Sequence, residues 1–105
     1  MNLSILDRLT LIEVLPKQGD MITLSIVTDI IEKIKFTQDD ITKYGIVVTQ
    51  MGENTNYQWD ETKKEEKKAT FTETETNIIK DAFMRLDKEK KMTLRMMPTA
   101  KKYLL

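Results

Sequence analysis

Neither cysteine nor histidine occurs among the 105 residues of the chain. Their absence excludes disulfides, thiol nucleophiles, imidazole bases and Cys/His zinc sites, and every triad built on them. Glycine is scarce: Gly19, Gly45 and Gly52 are too scattered to cradle a phosphate. Ser4 and Ser25 are the only serines, and neither sits in a Gly-x-Ser-x-Gly elbow. No charge of one sign prevails. Seventeen Lys plus Arg balance 17 Asp plus Glu, so no global field draws the chain to nucleic acid or to an anionic membrane. Long hydrophobic runs are missing too. Residues 21–34 come nearest, but Asp29, Glu32 and Lys33 interrupt them well short of the roughly 20 apolar residues of a membrane span. Asp7 and Arg8 lie inside the first apolar run, which therefore does not read as a signal peptide. A cytoplasmic protein is expected, with no membrane association.

What remains is a balanced composition, 40% apolar and 32% charged, in a length that suits one domain over residues 1–105. Ile5, Leu6, Leu9, Ile12 and Leu15 recur at helical spacing, with Leu11 and Val14 widening the apolar face. Ser4 and Asp7 supply a start signal, and Leu15-Pro16 with Gly19 a stop. A second stripe, Ile26, Val27, Ile30, Ile31 and Ile34, predicts a helix over 23–35. Thr37 followed by Asp39 and Asp40 caps a short third helix that ends at Gly45.

From Ile46 the pattern turns to strand: Ile46 to Thr49, turn material over 52–56, then Tyr57 to Trp59. All but one of residues 60–68 are charged, which reads as a solvated loop or edge. Residues 69–72 are expected as a third strand beside the hairpin. Thr72 and Glu75 form a capping box that opens a helix to about Asp87 with the stripe Ile78, Ile79, Ala82, Phe83 and Leu86. Thr93 is expected to cap a last helix carrying Leu94, Met96 and Met97, which Pro98 kinks or ends. The fold class is α+β and mostly helical: three amino-terminal helices, a β-hairpin or small three-stranded antiparallel sheet, and two carboxyl-terminal helices. Three helices followed by a hairpin is also the order of a winged helix.

Beyond this order, Leu15-Pro16-Lys17, Gly19, Thr23-Leu24, Ile26, the helix over 30–34 and Phe36-Thr37 resemble the opening of a family of small, functionally uncharacterised proteins common in bacteriophage and prophage genomes. Trp59, Ile79-Lys80 and Leu86-Asp87 continue the resemblance over most of the chain. It implies an origin in a phage or mobile element and carries over no active residue.

No arrangement points to catalysis, to a cofactor or to a metal site. Asp39 and Asp40 could offer oxygen ligands, but a helix cap explains them more simply. Glu65 and Glu66 are neutralised by flanking lysines. Glu13 and Asp29 stand at stripe edges as solvated positions. Residues 88–105 hold six Lys plus Arg against Glu89 alone, a basic end that could touch phosphates. Three arginines in all are few for reading bases. Met84, Met92, Met96 and Met97 gather nearby, suited to core filling or to an adaptable binding surface. Asp39, Asp40, Lys91, Arg95, Met96, Met97 and Tyr103 are therefore the candidate partner-binding residues. The expected activity is non-enzymatic: binding of a host or phage protein, with a homodimer compatible with the apolar carboxyl end. The alternative is a small winged-helix regulator, for which specific nucleic-acid binding is disfavoured by the acidic first turn of its third helix.

Overall fold

A computed structural model describes residues 1–52, 54–62 and 66–105, with the Asn54 side chain left out of the description. The element order is β1 (Asn2–Leu3), α1 (Ile5–Val14), α2 (Met21–Ile34), α3 (Gln38–Tyr44), β2 (Val47–Met51), β3 (Asn54–Gln58), β4 (Lys67–Lys68), α4 (Glu73–Lys88) and α5 (Met97–Leu104). Five helices and two small antiparallel sheets make an α+β fold with the helix order that the periodicity predicts. The chain divides into two compact units, one of Met1–Lys35 with Glu66–Leu105 and the other of Phe36–Glu65.

In the first unit, α1 packs against α2, α4 and α5, and α2 against α4. Leu11 and Leu15 of α1 and its C-cap, Ile30 and Ile34 of α2, and Ile79 and Phe83 of α4 are at most 1% exposed and form the centre of the core. α5 closes it with Thr99, Ala100 and Tyr103, its i, i+1 and i+4 face. The Tyr103 ring lies 6.2 Å from that of Phe83, centroid to centroid, in a stacked arrangement. Capping fixes the helix starts. In α1, Ser4 Oγ accepts from Asp7 N at 3.0 Å while Asp7 Oδ2 accepts from Ser4 N at 3.0 Å. Thr72 and Glu75 repeat the box at α4.

Two cations finish helices at the other end, where backbone carbonyls lack partners. Arg8 is only 2% exposed, and its Nε and Nη2 donate to the Ile34 and Lys35 carbonyls of α2 at 2.9 and 2.7 Å. Lys17 Nζ folds back on the Ile12 and Leu15 carbonyls of α1 at 2.5 and 2.8 Å, and the burial this requires lowers its pKa against the opposing pull of Glu13.

Several expectations need correction. Helix α2 starts at Met21, because Asp20 and not a later residue caps it, its carboxylate accepting from Thr23 N at 2.8 Å. The extra strand is β4, and it pairs with β1 (Asn2 opposite Lys68, Leu3 opposite Lys67) and not with the hairpin. Two-residue strands carry no alternation to read, so only tertiary pairing reveals them. Pro98 lies in the first turn of α5, where a missing N–H costs nothing, and so neither kinks nor ends that helix. Thr93 instead closes the preceding turn through Met96 N.

In the second unit, Thr37 and Asp40 form the capping box of α3, and Gly45 ends it at φ +60°, a left-handed conformation that glycine adopts without strain. Strands β2 and β3 pair in register from Val47 opposite Gln58 to Met51 opposite Asn54. The hairpin loop is therefore two residues, shorter than the turn expected over 52–56, and Gly52 enters it at φ +64°. Glu53, expected at the tip, lies outside the described residues, as do Lys63, Lys64 and Glu65 of the charged run. Gln50 holds the closed end, donating to the Gly52 carbonyl at 2.9 Å and accepting from Thr55 Oγ1 at 3.0 Å. Tyr44 and Ile46 are buried and Trp59 is partly buried.

Phe83 has no exposed surface. Phe83→Ala is expected to cost about 3–5 kcal/mol, read as a lower midpoint in chemical denaturation.

Candidate functional site

The chemistry with the greatest departure from expectation is a set of buried ionised side chains in the first unit. Asp7 and Glu75 are 2% and 4% exposed. Asp7 Oδ1 accepts from Thr99 Oγ1 at 2.6 Å, and Oδ2 accepts from Lys102 Nζ as well as from the Ser4 amide. Lys102 also reaches the Asn2 carbonyl at 3.2 Å and lies 3.7 Å from Glu66. Glu75 Oε1 accepts from Lys33 Nζ at 2.5 Å and from the Thr72 amide at 2.8 Å. Burial pushes both carboxyls up, but the lysine and the amide and hydroxyl donors outweigh it and hold each below the ordinary carboxylate value. Thr99 and Lys102 tie α5 to Asp7, and Lys33 ties α2 to Glu75, which is the signature of a structural clasp. Glu13 and Asp29, the carboxylates read from stripe edges, are exposed. Asp7 and Glu75 escaped that reading, although each holds the third helical position of a capping box in front of an apolar stripe.

Tyr103 adjoins this clasp. Its hydroxyl is buried without a hydrogen-bond partner among the described residues, and burial together with the charge of Asp7 pushes its pKa up to about 12.

The surface offers more to a ligand than the interior. Where α1 ends and α2 begins, a cleft of about 310 Å³ opens against α4, lined by Val14, Pro16, Thr23, Ile78, Asp81, Ala82, Arg85 and Leu86. Its origin lies in the width of the α4 stripe. Ile79 and Phe83 form the fully buried row, while Ile78, Ala82 and Leu86, at i, i+4 and i+8, form a second row that stays partly exposed as the cleft wall. Val14 and Pro16 at the end of α1 and Thr23 of α2 complete the lining. Directly before the lining residue Thr23, Met21 and Ile22 are 85% and 76% exposed. Asp81 and Arg85 set one charge of each sign among the apolar residues. Arg85 continues into a wider, open concavity of about 690 Å³ with Met84, Asp87, Lys88 and Glu89.

Of the seven candidate residues, Asp39 and Asp40 belong to the second unit and the other five to the first. Asp39 is exposed on the first turn of α3, and Asp40 is engaged in its cap. Lys91 and Arg95 are exposed, with Lys91 3.9 Å from Glu89. Met97 is 37% exposed next to Leu94 at 91%, but Met96 at 9% and Tyr103 at 6% belong to the interior. Their alternate placement follows from the turn before α5, which swings Leu94 out and Met96 in. Lys102, part of the basic end, is committed to Asp7. Among the described residues no three acidic side chains converge on a cation site, and no helix is long and apolar enough to cross a membrane.

The lowered carboxyl pKa values make stability constant near neutrality and lost as the pH falls below about 4, through the folded-state values. The raised Tyr103 value acts at the other limb: its contribution is complete below pH ~10 and declines as the pH rises toward about 12. Tyr103→Phe is expected to leave stability at pH 7 unchanged or raised and to flatten that alkaline decline, as followed by denaturant midpoints across pH. Comparison with protein families, with curated proteins and with solved structures finds nothing that matches this chain.

Proposed function

We propose that the protein is a non-enzymatic interaction module of phage or mobile-element origin that acts in the cytoplasm by binding a host or phage protein. The observation that carries this reading is the cleft between α1, α2 and α4, with the exposed Met21 and Ile22 directly preceding its lining residue Thr23 in α2. Large apolar side chains held in water beside an apolar concavity mark a place where another protein is buried. The ionised groups support it from the opposite direction. The most deeply buried of them are consumed by folding contacts, and none of the sequence patterns supplies a nucleophile with its base. The resemblance carried by Leu15-Pro16-Lys17, Gly19 and the helix after them is the support for a phage origin.

The test is affinity capture from a host lysate with the unaltered chain, Ala82→Arg and Ile22→Asp in parallel. A protein retained by the first and lost, at least tenfold, from both variants is the expected result. A captured set identical across all three would overturn the role of the cleft.

A second reading, a small winged-helix regulator, draws on the order of three helices and a hairpin. The helix that would enter the groove begins with Gln38, Asp39 and Asp40. Two carboxylates there oppose phosphate, and residues 1–58 hold five Lys plus Arg against eight Asp plus Glu. No sequence-dependent binding to duplex DNA is expected at about 0.15 M salt. A sub-micromolar, sequence-dependent mobility shift would favour the regulator instead.

A further inference from the structure

The strand β2, Val47–Met51, is exposed along its whole length. Val47 and Val48 are 53% and 54% exposed and Met51 65%. Successive residues of a strand face opposite sides, so the exposure of Val47 and Val48 together means that neither side of β2 is covered. A ribbon of two strands is marginal in water by itself, and among the described residues β3 is the only strand that pairs with β2. The free edge of β2 also lacks the usual protections. It has no Lys, Glu or Pro, and its register with β3 runs unbroken through all five pairs.

We propose that β2 pairs antiparallel, edge to edge, with β2 of a second copy of this chain about a two-fold axis at Thr49. A second copy is the occupant that the residues select. In full overlap Val47 faces Met51 of the other copy, Val48 faces Gln50, and Thr49 faces Thr49. Apolar residues thus meet on one side, threonines pair at the centre, and no charge meets its like. The other edge, β3, carries two asparagines, Asn54 and Asn56, which disfavour strand, and its one large apolar ring, Tyr57, is partly buried. The product is a four-stranded antiparallel sheet closed by two-fold symmetry, which ends growth at two chains. This pairing is independent of the cleft on the first unit.

Sedimentation of the intact chain from about 10 µM to about 1 mM, the range for a small interface, reads the association directly. The mass is expected to rise from 12.3 kDa toward twice that value. Thr49→Lys or Thr49→Glu alone places like charges across the axis and should keep the chain monomeric, while an equimolar mixture of the two should restore the dimer. Amide exchange in the unaltered chain supplies a readout that no substitution can compromise: protection at Val47–Met51 should increase with concentration, and by more than that at Asn54–Gln58. A mass of 12.3 kDa throughout, as would hold if the edge served only a foreign peptide, overturns the proposal. So does a Thr49→Lys chain that associates like the unaltered one, or a concentration-dependent protection that is greater on β3 than on β2.

Discussion

The carboxylate of Asp7 joins the first helix of the chain to the last. It completes the α1 cap through Ser4, receives the Thr99 hydroxyl and the Lys102 ammonium from α5, and through Lys102 is connected to the β1 backbone. A chain without disulfides has to secure its last helix by packing and by polar contacts of this kind. An ionised carboxylate removed from water carries a large desolvation cost, recovered only when its lone pairs are filled, and here several donors fill them. The arrangement is stringent more than it is strong. A displaced α5 would leave Asp7 buried and uncompensated, so the alternative packings of that short helix are suppressed. Arg8, one residue on, does the same for the end of α2, and the two neighbours thereby hold three helices in one geometry.

That division of labour governs what the surface can do. Because the deeply buried ions serve the fold, the groups left to meet a partner are apolar: the row Ile78, Ala82 and Leu86, the open N-terminal end of α2 and the uncovered strand β2. Charged residues surround these places in both signs, which suits recognition by shape and apolar contact with short-range charge selection. It suits a polyanion poorly. The basic carboxyl end is also less available than its composition suggests, since Lys102, although partly exposed, is paired with Asp7.

Much of the helical framework was legible because its signals are local. Ser4, Thr37 and Thr72 are followed three residues later by Asp7, Asp40 and Glu75, and each pair caps the helix that its spacing announces. The stripes through Ile30 and Ile34 and through Ile79 and Phe83 are core for the reason their period implies. What escaped depends on distance along the chain. Nothing near Asn2 or Lys67 announces their pairing, and nothing near Asp7 announces Lys102. Arg8 looks like an ordinary polar position until the end of α2 is placed against it. The surface reading failed in part for a similar reason: Met96 and Tyr103 belong to an apolar, basic tail by composition, while the turn before α5 decides which of its side chains point inward. The cleft could have been suspected from the excess width of the α4 stripe and the abrupt stop at Leu15-Pro16.

The first unit is built from two stretches of chain separated by the whole of the second. During synthesis, α1 and α2 leave the ribosome well before α4, at about 5–20 residues per second. Over that interval Leu11, Leu15, Ile30 and Ile34 have no α4 to cover them, and Asp7 has no Lys102. Helix α3 and the pair β2–β3 draw their hydrogen bonds from residues close in the chain and do not have to wait for α4. The nascent chain is thus exposed to aggregation and to proteolysis at α1 and α2 until α4 and α5 have emerged to complete the core.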